Sequence, residues 1–286
     1  MPIFDRYIAV DWSANNAPKA GRDSIWIAET GEPSVNPRTR HAAMQHLLAR
    51  LDEALRHDER TFVGFDFPFG YPTGAAARLA DANGWAGLWS TLSNAIVDDP
   101  NNRSNRFEVA AALNARMGGD GPRFWGCPVA RAGEYLTTRK HGISFDSIAE
   151  YRTVERVAKG AKSTWQLFYN GSVGSQCLLG LAHLQRLRTR FRDKVAVWPF
   201  ETDFERKLEA PIVLAEIYPS LDRHDPDVHP KDRAQVEALV RRFAALDASG
   251  EFATALSLPA GYADQRDVIL AEEGWIVGAG HEALRR

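Results

Sequence analysis

Three short apolar runs in this chain close on an acid. "YIAVD" ends at Asp11, "TFVGFD" ends at Asp66, and "IVLAEIYP" carries Glu216 near its end. Runs of this length, bounded by Gly and Pro, read as strands buried in a sheet. If the strands share one mixed sheet, their acids gather at one edge. Like charges held close repel, and burial makes the repulsion worse. Two readings follow. Each acid is a solvated turn former after its strand, or the acids share a cation.

The rest of the pattern sets the frame. Residues 7–11 and 24–29 read as strands around the turn "APKAGRDS", so they form a hairpin, with a short third strand near "GEPSVNPRT". Residues 41–57 place Ala43, Leu47, Leu48, Leu51 and Leu55 at helical spacing. Thr61 to Phe65 form the next strand, and Pro68 and Pro72 forbid its continuation. Further on, 171–191 and 230–250 read as helices, and 195–200 and 212–219 as strands. A last helix is expected over 262–281, with Asp264 and Asp267 three apart on one face at its start and Glu272 and Glu273 inside it. The expectation is an α/β chain with a mixed five-stranded sheet and flanking helices. It forms one domain over 1–286, with a largely helical and irregular insertion over 73–170.

Strand-end carboxylates are oxygen ligands of the kind that Mg²⁺ and Mn²⁺ take. Asp11, Asp66, Asp264 and Asp267 are the candidate metal ligands, and Glu216 is an auxiliary ligand or base. Two such ions about 4 Å apart activate water and stabilise a leaving oxygen in phosphoryl transfer.

The same residues resemble a known group. A hairpin bearing an acid, a helix, a strand ending in an acid and a DxxD opening the last helix resemble the ribonuclease H-like superfamily. "VGFDFPFGYP", "AEIYPSL" and the final helix are similar to the bacterial DUF429 family, and "YADQRDVILAEEGW" is similar to the last helix of RuvC-type resolvases. The resemblance covers roughly 5–70 and 171–280 and leaves 73–170 unexplained. It implies that Asp11 is the first-strand acid, that Asp66 stands where a Glu is usual, and that Asp264 and Asp267 supply two further metal ligands. Glu216 then matches the acid before the "YP" element.

Net charge is −2, so nothing draws the whole chain to nucleic acid. Residues 101–175 hold eleven Lys and Arg against six Asp and Glu, net +5, which leaves −7 for the remainder. Arginines there, Arg123 and Arg131 among them, alternate with Phe107, Phe124, Trp125 and Tyr135. That mixture is either a groove for phosphates and bases or a solvated subdomain with a small core of its own. "NGSVGSQ" leads into a helix, where Gly171 and Gly174 permit a close backbone approach to a phosphate with Lys162 nearby, or simply form a flexible turn. Cys127 and Cys177 suggest neither a disulfide framework nor a zinc site. No apolar run approaches about 18 residues and no signal-peptide pattern is visible, so a soluble, cytoplasmic protein is expected, with no membrane partner.

Three functions stay open on this reading. The first is a divalent-metal-dependent hydrolase of phosphodiesters, acting on nucleic acid or a phosphate-containing small molecule. The second is an actin-like Mg-ATP phosphotransferase, disfavoured by the absence of a visible duplication. The third is a binding protein without catalysis.

Overall fold

The computed structural model describes residues 2–204 and 208–284. Its centre is a five-stranded sheet of β1 (Arg6–Asp11), β2 (Trp26–Glu29), β3 (Thr61–Phe65), β4 (Val195–Val197) and β5 (Ile212–Glu216), in the order β2-β1-β3-β5-β4. β2 runs antiparallel to β1, and the pairs β1/β3, β3/β5 and β4/β5 are parallel. The α/β class and the five mixed strands expected from the sequence are therefore present. The short third strand is reduced to a single bridge between Ile27 and Val35. Regular pairing in the 195–200 run stops at Val197, before Trp198 and Pro199.

Helices cover both faces. α1 (Arg40–Arg56) starts at Thr39, whose hydroxyl accepts from Ala42 N at 3.1 Å, and buries Ala43, Leu47, Leu51 and Ala54 on one stripe. Burying each such Leu contributes about 1.5–3 kcal/mol. The insertion supplies α2 (Ala75–Ala80), α3 (Trp85–Ala95), α4 (Arg106–Arg116) and α5 (Thr153–Val157). α6 (Gly174–Phe191) follows, then α7 (Lys231–Ala248) after β5, and the short α8 (Phe252–Ala255) and α9 (Arg266–Val268). α7 lies against β1 and β2.

Strand alternation divides the interior in two. Ile8, Val10, Val63, Phe65 and Leu214 face α1, α6 and the insertion, in one cluster with Trp89, Phe124 and Trp165. Tyr7, Ala9, Phe62, Val213 and Ala215 face α7, in a second cluster with Leu239 and Phe243. The aromatics of 73–170 thus do not make a small core of their own. Phe107 and Phe124 bury into the main one, so this segment packs as part of the body.

The expected last helix over 262–281 does not form. Residues 260–265 are a 3-10 turn, α9 is a single turn, and residues 269–273 form a π-turn that stops at Gly274, whose φ is +70°. The chain then runs extended beside β5, where Val277 N donates to Glu216 O at 3.0 Å. Glu272 and Glu273 explain the stop. Glu272 accepts from Gly74 N (2.7 Å) and from Ala76 N at the start of α2, and Glu273 accepts from Thr153 N (2.7 Å) at the start of α5. Both are buried, and each satisfies helix-start donors that a regular helix over 262–281 would leave unmet.

Candidate active site

The strand ends that carry the acids open onto a cavity of about 980 Å³. Its floor is the C-terminal edge of β1, β3 and β5. Val10, Phe65 and Glu216 sit side by side in register, so Asp11 and Asp66 stand one residue further along. A one-residue offset reverses the face. Asp11 and Asp66 turn toward the α7 side, while Glu216 turns toward the insertion.

The two aspartates form a pair. Asp66 is fixed by its backbone, whose N–H donates to Val10 O at 3.2 Å, and by its Oδ1, which accepts from Trp12 N at 2.7 Å. Burial pushes the Asp66 carboxyl up to about 7. Burial, followed by the charges of Asp66 and Asp232, pushes Asp11 well above the usual carboxylate range. The two carboxyls interact directly, so their protons belong to the pair and not to either residue alone.

Asp232 is the acid the sequence reading missed. It stands in the first turn of α7, lines the cavity, and its Oδ2 accepts from Asp23 N at 2.6 Å. In the sequence it looks like an ordinary first-turn acid after Pro230. The available signal was that the helix over 230–250 is amphipathic and long enough to cover the hairpin, so its start falls near the tip of β1.

The other expected site residues divide. Asp264 and Asp267 are exposed and do not line the cavity; the Asp267 side chain is 99% exposed. Their expected place beside Asp11 depended on a long last helix. Glu216 lines the cavity but is committed elsewhere. Arg152 grips it with two bonds of 2.7 and 2.8 Å, and Phe69 N donates to it at 2.9 Å. Arg152 also donates from Nε to Glu155 Oε1 (2.9 Å) and from Nη1 to Glu273 O (2.7 Å). Glu216 therefore anchors the insertion to β5 instead of standing as a free ligand or base. Burial pushes the neighbouring Glu155 up to about 7 against the pull of Arg152.

Of the expected phosphate ligands, Lys162 and Gly171 line the cavity. Gly174 does not, and packing requires its missing side chain: a Cβ there would lie 2.5 Å from Thr164 O and 2.6 Å from Gln166 O. Arg123 is buried within the insertion, where it donates to Ser147 Oγ at 2.6 Å, and Arg131 pairs on the surface with Glu108. Neither reaches the cavity. Cys177 is buried and lies 3.2 Å from Pro68 O, and both cysteines are free.

Among the described residues, no three His, Cys, Asp or Glu side chains are grouped so as to hold a metal ion by themselves. No helix among them is long and apolar enough to cross a membrane. Comparisons of the chain with protein-family models, with curated proteins and with solved structures give no match.

Proposed function

We propose that this chain is a divalent-metal-dependent hydrolase of phosphate esters, with its reaction centre at Asp11 and Asp66. The observation that carries the reading is the pair itself: two carboxylates from adjacent parallel strands, turned to one face, at the floor of a cavity of about 980 Å³. Two half-buried acids held this close disfavour carrying two charges together, and a divalent ion relieves that conflict. Mg²⁺ characteristically takes one or two protein carboxylates and completes its shell with water and substrate phosphate oxygens. A two-carboxylate floor fits such an ion. Mg²⁺ or Mn²⁺ bound there supplies Lewis-acid chemistry to the phosphoryl group.

The chain's own residues do the rest. Trp12 N holds Asp66 in place, and Asp232 brings a third carboxyl group from α7. Lys162, Arg106 and the residues around Gly171 also line the cavity. The β1/β2 hairpin, the parallel β1/β3 pair and the acids ending both strands support a ribonuclease H-like arrangement, with Asp232 as the acid that a later helix contributes.

The test is hydrolysis of bis(4-nitrophenyl) phosphate and of nucleotide diesters with Mn²⁺ or Mg²⁺ and with EDTA. Activity should require the ion and fall about 100-fold or more in Asp11→Asn. Asp232→Asn should also lose activity, while Asp264→Asn and Asp267→Asn retain it. Hydrolysis in EDTA, or full activity in Asp11→Asn, would overturn the reading.

A further inference from the structure

Arg106 is only 6% exposed, and it borders the cavity. Its Nε donates to Ser175 Oγ at 3.1 Å, and its Nη1 donates to Ser104 Oγ at 2.9 Å and Asn16 Oδ1 at 3.0 Å. All three partners are neutral. The acids whose charges reach it are engaged elsewhere, Asp98 with Arg40 and His183, and Glu108 with Arg131. Among the described residues Arg106 has no ion-pair partner. A buried cation without a counter-charge is costly, and an anion entering the cavity removes that cost.

The surroundings suit an anion. Ser175 and Gln176, in the first turn of the 18-residue α6, line the same cavity. Among the described residues, neither of their backbone amides donates to a carbonyl, so two helix-start donors are available. Lys162 and Gly171 border the cavity as well. Beside this cluster stand Phe168 and Tyr169, 39% and 50% exposed, two of the few large apolar side chains that reach the surface. Phe168 packs edge-on against Phe107, whose ring lies under the Arg106 guanidinium, 4.5 Å from its carbon.

We infer that Arg106, the first turn of α6 and Lys162 form a phosphate subsite, with Phe168 and Tyr169 as the platform for a base, so that the substrate is a nucleotide. This rests on the proposed reaction centre and names its substrate class. The cavity is of small-ligand size, and at a net charge of −2 the chain as a whole exerts no electrostatic pull on duplex nucleic acid. Burial, with the like charge of Arg40 second, lowers the Arg106 guanidinium to about 10, still charged at neutral pH.

The experiment is calorimetry in EDTA with inorganic phosphate, ribose 5-phosphate and AMP. Phosphate should bind saturably to the wild type. Asn16→Asp places a carboxylate against Arg106 Nη1 without enlarging any side chain, and it should weaken phosphate by about tenfold or more, the loss of a charge-assisted contact. AMP should bind about fivefold or more tightly than ribose 5-phosphate, and Phe168→Ala with Tyr169→Ala should erase that advantage. Asp11→Asn should bind phosphate at least as well as wild type. No saturable phosphate binding, or equal binding by Asn16→Asp, would overturn the subsite. Equal affinity for AMP and ribose 5-phosphate would overturn the nucleotide. Binding without hydrolysis under any metal condition would leave the subsite standing and remove the reaction centre. Metal-dependent hydrolysis indifferent to Asn16→Asp would do the reverse.

Discussion

Replacing Asp66 with Asn should stabilise the protein, and the gain should grow with pH. Asp66 keeps its carboxyl near 7 in the fold against 3.8 as a free side chain. A carboxyl whose folded value is raised favours the fold only while protonated. Stability is therefore full below about pH 4 and is lost as pH rises to 7, after which the loss is constant. At 1.36 kcal/mol per pH unit, the gap corresponds to a ceiling of about 4 kcal/mol. Asn keeps an acceptor for Trp12 N and offers Asp11 a donor, so the variant removes the charge and leaves the geometry. Urea unfolding in EDTA across about pH 4 to 8 should show the variant pulling ahead of wild type by about 2–4 kcal/mol. Glu155 also sits near 7 and tilts both proteins the same way, so only the difference between the two curves counts. A difference that stays flat, or narrows as pH rises, would refute the claim that loss of solvent at the cavity floor holds the Asp66 carboxyl up. Saturating Mn²⁺ at pH above 7 should raise the wild type, by about 2.7 kcal/mol at a hundred times its dissociation constant, and leave the variant nearly unmoved.

Two further outcomes test the scaffold. Arg152→Met strands Glu216 and Glu155 as buried acids and should cost about 3–5 kcal/mol by chemical denaturation; Arg152→Met with Glu216→Gln should recover part of it, since the charge left behind is the main penalty. Gly180→Ala would set a Cβ 2.3 Å from the Phe67 ring and should lower stability by about 1–3 kcal/mol, read as a fall in the urea midpoint without a change of slope.

The sheet was legible because buried strands leave a plain mark. Thr61 to Phe65 and Ile212 to Glu216 are apolar without interruption, and period and length identify them. Asp11 and Asp66 were legible for the same reason, since a charge ending such a run is conspicuous. The third acid was not. Asp264 and Asp267 carry a helical spacing that Glu272 and Glu273 cancel by turning back to cap α2 and α5, and no local rule reveals partners 198 and 120 residues away. Asp232 carries no mark beyond a favourable first-turn charge. The face of Glu216 was hidden too, because it depends on a one-residue offset in register that only pairing fixes. Arg123 and Arg131 illustrate the limit of composition. An Arg-rich segment states how many cations it holds and says nothing of which ones its own carbonyls and acids will occupy.

The strand order carries a consequence for how the chain is made. β5 lies between β3 and β4, yet it is the last of the five in sequence. Until residues 212–216 leave the ribosome, β3 has only β1 beside it and β4 has no neighbour at all. Every parallel contact on that side of the sheet closes a loop, the longest spanning about 150 residues of chain, and such contacts form late. The floor of the cavity, the Arg152 anchor and the start of α7 all wait on the same short segment. A nascent chain stalled before it would hold a hairpin and its helices, with Asp11 and Asp66 still in water and unopposed.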